Sequence, residues 1–275
     1  MPPRTSQANW QARIDRAERL SSQYDFAREV LEFYAQVAPF QKSLHANIAS
    51  SADQESPGGF EAAARGAIEL SVLLPHYRGF LSLIEQKAPT ALSDAAGEVA
   101  SLSVDSWIEE LEEYWRHGGI DDPPNGSFAQ FLPRAFLQPY AEFRAGRTER
   151  VPLEPTVNLC PLCGARPLLG MLRPEGDGGK RFLLCSFCSH EWEFRRIYCA
   201  YCGETREQSL PVFVAESFSH IRLEACDTCR HCIRTVDLTK DGNAVPVVDD
   251  LAAIPLGLWA EEYGYQRIHA NLLGT

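Results

Sequence analysis

The stretch "RFLLCSFCSHEWEFRRIYCAYCG", residues 181–203, carries two Cys-x-x-Cys pairs with ten residues between them. The same pair recurs on either side, as "CPLCG" at 160–164 and "CDTC" at 226–229, so all nine cysteines of a 275-residue chain fall between 160 and 232. In order, the gaps between successive pairs are 21, 10 and 23 residues. It is one unit written twice, with a period near 40 residues. Each long gap can hold a two-stranded hairpin. "PLLGML" and "KRFLL" flank the turn "RPEGDGG", while "LPVFV" and "IRLE" flank "AESFSH". A hairpin with a Cys-x-x-Cys loop on each side brings four sulfurs to the corners of a tetrahedron, the rubredoxin or zinc-ribbon arrangement.

Two intervening residues let the chain curl so that both sulfurs face one ion and the loop amides point at the thiolates. Gly164 and Gly203 follow the second cysteine of the first pair in each unit, where a left-handed turn suits glycine. Ser189 and Arg230 hold the matching places in the later pairs and make less ideal loops. Structural disulfides belong to exported domains, and nothing in the chain points to export. Thioredoxin-type pairs open a helix after a strand, and "CPLCGARP" leads into no helix. Metal ligation remains, with in-order tetrads expected: Cys160, Cys163, Cys185 and Cys188, then Cys199, Cys202, Cys226 and Cys229. Interleaved or nested use of the pairs is the alternative. Cys232 has no fourth partner and reads as a spare thiol, and His190 and His231 as polar turn residues rather than substitute ligands. "HEWEF" lacks the second histidine of a zincin helix, and "EGDGGKR" suits a hairpin tip better than a phosphate loop. No constellation resembles a nucleophile with its base, so no enzyme activity is expected.

Composition narrows the classes further. An apolar fraction of 45% is ordinary for a globular protein. No apolar run suffices for a transmembrane helix, and "MPPRTSQANW" lacks the apolar core of a signal peptide, so no membrane insertion and a cytoplasmic location are expected. The formal charge is −11, a poor start for binding nucleic acid, and none is expected as partner. Residues 1–155 hold 14 basic and 22 acidic side chains, and residues 156–235 hold 10 and 9. Lys180, Arg181, Arg195 and Arg196 sit beside the cysteines and can offset the negative charge of a metal–thiolate group.

The first 150 residues read as helices. "WQARIDRAERLSS" is amphipathic, and Phe26, Val30, Phe33 or Tyr34, and Val37 make a stripe that Pro39 and the Ser-rich 50–59 segment interrupt or end. Further helices are predicted over Phe60–Leu74, from Tyr77 to Gln86, and along the stripe Val104, Ile108, Leu111 and Trp115. Ser127 with Gln130 looks like a capping box, with Pro133 and Pro139 bending or breaking the helix that follows. After a linker at 151–158 the pieces become β-prone. "IRTVDLTKDGNAVPVV" suggests a hairpin turning at Asp241-Gly242, and the tail a closing helix.

The segments "CPLCGARP", "RFLLCSFCSHEWEFRRIYCAYCG", "EACDTC" and "DDLAAIPLGLWAEEYGYQR" closely resemble the FdhE family of formate dehydrogenase accessory proteins. The likeness covers about residues 160–268. It implies an α+β multidomain protein: a multihelical domain at 1–155, then two rubredoxin-like or zinc-ribbon modules at 156–196 and 197–275. It implies a maturation chaperone that binds the catalytic subunit of a respiratory formate dehydrogenase, with iron at two rubredoxin-type sites and zinc as the alternative. The eight paired cysteines fall on the family's cysteine positions. Cys232 stands where an aromatic residue is usual, and "IPLGLWA" departs from the usual Leu-Asp pattern. Competing classes are a rubredoxin-like electron carrier and a zinc-ribbon scaffold or nucleic-acid binder. Trp192 is the candidate anchor for a partner, with core packing as its other role. Metal loss is expected to unfold one ribbon and leave the helices standing.

Overall fold

The computed structural model describes residues 9–52, 66–118, 120, 128–148, 154–176 and 178–274. Six helices come first: α1 (Trp10–Gln23), α2 (Arg28–Ala52), α3 (Leu70–Lys87), α4 (Thr90–Ala100), α5 (Val104–His117) and α6 (Phe128–Arg147). Asn9 caps α1 by accepting a hydrogen bond from the Ala12 amide, and Ser103 caps α5 by accepting one from Ser106. The α5 stripe is rotated from the sequence reading. Its buried side chains are Trp107, Leu111, Tyr114 and Trp115, and Val104 is exposed. The Phe60–Leu74 reading falls partly outside the described residues, and so does the capping box, since Ser127 is not described.

The prolines do not break these helices. Pro39 lies inside α2 on an exposed face, and Val37, Ala38, Leu44 and Ile48 are buried on both sides of it. Continuing the helix keeps that stripe in the core, which outweighs one lost backbone bond. Pro75 likewise lies inside α3 and faces solvent. In α6, Pro139 has no N–H to offer the Ala135 carbonyl four residues back. The Gln41 side chain of α2 donates to that carbonyl instead, at 2.7 Å. The helix therefore runs through both Pro133 and Pro139.

The second half is one seven-stranded sheet. Strands β1 (Pro167–Glu175) and β2 (Gly178–Cys185) form the first hairpin, extended by β3 (Glu191–Glu193). Strands β4 (Val212–Val214) and β5 (Ile221–Ala225) form the second, extended by β6 (His231–Asp237). The halves join where β1 pairs parallel with β6, giving the order β3-β2-β1-β6-β5-β4, and β7 (Gln266–Arg267) adds to β6. Gly170 makes that junction. A Cβ there would lie 2.4 Å from Thr235 Oγ1 across the pair. The hairpin predicted at Asp241-Gly242 does not form, because "VPVV" starts a helix instead. Pro246 suits a first helical turn, and Asp249 accepts the Val245 amide at 2.7 Å. The tail is two helices, α7 (Pro246–Ala252) and α8 (Ile254–Glu262).

Helices and sheet share their cores. Phe187, between Cys185 and Cys188, meets Tyr114 and Trp115 edge-on, with ring centroids 5.7 Å apart in each case. On another face, Val248 and Leu251 of α7 pack with Ile14, Ala17, Leu20 and Leu31 of α1 and α2. Among the described residues, no helix is long and apolar enough to cross a membrane.

Candidate metal centres

Each Cys-x-x-Cys is the front of a tight loop with one recurring bond pattern. The Cys160 amide donates to the Ala165 carbonyl and the Gly164 amide to the Cys160 carbonyl. The same two bonds form from Cys199 to Glu204 and Gly203, and from Cys226 to His231 and Arg230. Closing such a loop requires a left-handed residue after the second cysteine. Gly164 and Gly203 have φ of 73° and 79°, and Ser189 and Arg230 have φ of 51° and 59°. Those last two are the non-glycine residues of positive φ among the described residues, and both are held by their side chains. Ser189 Oγ donates to Glu142 at 2.6 Å, and the Arg230 guanidinium donates to the Tyr263 carbonyl and lies 3.9 Å from the Tyr265 ring centroid.

The loops meet in two groups. In the first, Cys160 and Cys188 sulfurs lie 3.6 Å apart and Cys163 and Cys185 3.4 Å. In the second, Cys199 to Cys229 and Cys202 to Cys226 are each 3.7 Å. Within each group all four sulfurs lie inside 4.8 Å of one another. A tetrahedron with metal–sulfur bonds of about 2.3 Å has edges of about 3.8 Å, so both groups match the size such an ion demands. The amides of Phe187 and Cys188 point at Cys185 Sγ, each at 3.4 Å, and those of Tyr201 and Cys202 at Cys199 Sγ, at 3.4 and 3.5 Å. Donors aimed at sulfur stabilise thiolate. The structure thus brings the eight paired cysteines together in order, four and four.

Burial raises the Cys160 and Cys188 thiols well above their ordinary pKa, so thiolates there depend on a cation beside them. Burial also lifts Cys199, to about 11. At Cys202 slight burial acts upward, but the Glu204 backbone amide and the neighbouring thiols more than offset it and the pKa falls. Cys232 belongs to neither group. It is buried among Leu223, Ala225, Ala260 and Tyr265, and burial raises its thiol to about 11. His231 Nδ1 lies 2.9 Å from the Cys229 carbonyl, and its ring stacks on Tyr201 with centroids 3.5 Å apart. His190 stacks on Trp192. Trp192 is no surface anchor. It is 4% exposed, and its indole N–H donates to the Val157 carbonyl at 2.8 Å.

Sequence reasoning missed the residues that hold the loops in place. Arg134 of α6 donates to the carbonyls of Ser186, Ala270 and Asn271. Glu142 of α6 takes Ser189 Oγ and a forked pair from Arg13. Arg181, read from sequence as offsetting the charge of a metal–thiolate group, is buried and pairs with Glu224 of the second hairpin at 2.5 Å, a partner the sequence did not show. Glu204 and Thr228 link the two loops of the second group at 2.6 Å. Their partners lie 24 to 137 residues away in the chain, which no local pattern signals. His220, Asp241 and Asp249 also converge, but Arg16 already supplies the cation there, 2.9 Å from Asp249 and 3.0 Å from Asp241.

Residues 159–196 match the FdhE central domain and residues 197–273 the FdhE C-terminal domain, meeting between the two cysteine groups. Residues 159–273 belong to the FdhE family. A protein FdhE homolog from Aquifex aeolicus is 25% identical over 270 residues, covering 95% of this chain and 94% of that one. The FdhE homolog of Pseudomonas aeruginosa is 32% identical over 154 residues, or 52% and 48% of the two chains. The crystal structure of the FdhE protein from Pseudomonas aeruginosa superposes with a TM-score of 0.73 at 24% identity, covering 96% of this chain and 95% of that one. This chain thus shares the fold of that FdhE structure, a helical region followed by a small sheet domain, which here carries two four-cysteine clusters.

Proposed function

We propose that this FdhE-family chain is a non-enzymatic accessory protein of formate dehydrogenase that binds the enzyme's catalytic subunit during maturation in the cytoplasm. The observation that carries the reading is the pair of sulfur tetrahedra set in one sheet, on the stretch that matches the FdhE central and C-terminal domains. Cys160, Cys163, Cys185 and Cys188 would hold one ion, and Cys199, Cys202, Cys226 and Cys229 the other. Bound iron would supply one-electron chemistry, and zinc a closed cross-link alone. The four amides directed at Cys185 and Cys199 sulfurs would stabilise the ligands' negative charge. We assign the helical unit to 1–155 and the two metal modules to 156–196 and 197–275.

The test is co-purification of the catalytic subunit with wild-type chain and with Cys199→Ser and Cys202→Ser, alongside metal analysis. Capture by the wild type and its loss with the metal is expected. Undiminished capture by soluble, metal-depleted variants would assign recognition to the helices instead. One observation favours a second reading, an electron carrier: Cys202 is exposed, which gives the second cluster an edge at solvent. A reversible redox titration of the purified protein separates an iron carrier from a zinc scaffold.

A further inference from the structure

The two clusters have the same geometry and opposite surroundings. Cys160, Cys163, Cys185 and Cys188 are each 1–2% exposed, and they share a core with Trp115, Phe136 and Phe187. Arg134 and Glu142 of α6 clamp the Cys185 loop from above. In the second cluster Cys199 and Cys226 are buried, Cys229 is half-buried and Cys202 is exposed. The Cys226 loop is held at the end of α8, where Arg230 donates to the Tyr263 carbonyl and Tyr265 Oη donates to Asp227. The two loops are also tied to each other, by Thr228 to Glu204 at 2.6 Å and by the Tyr201–His231 stack at 3.5 Å. The Glu204–Thr228 tie lies at the surface, where Glu204 also takes the amides of Thr205 and Arg206.

We propose that the second cluster is an exchange site that opens at Cys202, while the first is a permanently closed structural centre. The proposal rests on the reading that both clusters hold a metal. A soft external donor, a thiolate or a chelating nitrogen, would take the place that Cys202 Sγ gives up. The freed Cys202 thiolate would lie exposed to solvent, and Cys199, Cys226 and Cys229 would still hold the ion. Nothing equivalent is open to the first cluster, where no sulfur reaches solvent and the loop cannot move without displacing Phe187 from between Tyr114 and Trp115. In this division the metal that an outside ligand can sample is the one at residues 199–229.

The experiment uses the full-length, metal-loaded protein. It is challenged with the chelator 4-(2-pyridylazo)resorcinol and, separately, with iodoacetamide, and followed by native mass spectrometry and peptide mapping. The expected result is loss of one ion at least about tenfold faster than the other, a difference of about 1.4 kcal/mol in the opening step. Alkylation should begin at Cys202, with Cys160, Cys163, Cys185 and Cys188 unmodified. Cys232, a buried thiol outside both clusters, reports global unfolding, and release that runs in step with its alkylation overturns the proposal. Glu204→Ala, which unties the second pair of loops without touching a ligand, should speed the fast release and leave the slow one unchanged. Equal release rates, or earlier release from the first cluster, overturn the division alone. A protein that binds no ion at either cluster overturns the metal reading beneath it.

Discussion

At the scale of single residues, the cluster loops depend on one backbone conformation repeated four times. Two of its positions carry glycine, where φ near 75° costs nothing sterically, and two carry residues that pay for it with side-chain contacts. Gly203 is crowded as well as left-handed. At φ 79° any side chain is strained, and a Cβ would stand 3.1 Å from Tyr198 Oη. Gly203→Ala is expected to lower stability by roughly 1–2 kcal/mol from the backbone alone, with the contact added. Gly176→Ala is the comparison, since Gly176 has φ 55° with open space around it. Chemical denaturation of the two variants should show the larger loss at Gly203. Equal losses would mean that Tyr198 yields freely. This level was legible before any coordinates, because a loop that wraps an ion needs fixed ligand spacing and a left-handed closing residue. Cysteine identity and glycine placement write both into the sequence. Ser189 and Arg230 were legible only as irregularities, because the groups that hold them, Glu142 and the α8 end, lie 47 and 33 residues away.

At the scale of elements, α6 shows how a helix survives a residue that should stop it. The Ala135 carbonyl is buried, Pro139 cannot serve it, and Gln41 of another helix does. Gln41→Ala should leave that carbonyl unpartnered and cost about 1–3 kcal/mol. Pro139→Ala returns a backbone N–H, so in the Gln41→Ala background it should recover much of the loss, while alone it should change little. A double-mutant cycle on thermal or denaturant unfolding checks this, and simple additivity would refute the coupling. The same element explains why helix ends were misplaced from sequence. Local rules correctly priced each proline as a breaker, but the compensation came across the fold from a glutamine. The hairpin expected at Asp241-Gly242 failed for a related reason. The turn residues were suitable, but the segment beyond them had α1 and α2 to pack against as a helix and no free sheet edge beside it.

At the scale of the whole molecule, the duplication visible in the cysteines does not produce two independent beads. The parallel β1–β6 pair and the Arg181–Glu224 bridge weld the hairpins into one sheet, and the Cys185 loop is inserted into the helical core. Loss of the first cluster should therefore reach the helices, contrary to the expectation from sequence that a ribbon would unfold alone. Cys163→Ser should lower the midpoint of the helical circular-dichroism transition well below that of wild type. Cys229→Ser, in the half-buried second cluster, should shift it much less. Equal shifts, or an unmoved helical transition in Cys163→Ser, would show that the shared core does not transmit the loss.

The docking of α7 against α1 and α2 has a consequence for how the chain is made. The groove between the first two helices is finished by Val248 and Leu251, and Arg16 near it finds its acid in Asp249. A ribosome adding roughly 5–20 residues per second needs on the order of tens of seconds to pass from α1 to α7. Throughout that interval the nascent amino-terminal helices expose an unfilled apolar groove and a guanidinium without its carboxylate. Polypeptides halted before residue 246 should consequently be substrates for holdase chaperones and proteases, and emergence of α7 becomes the step that commits the newborn chain to its final shape.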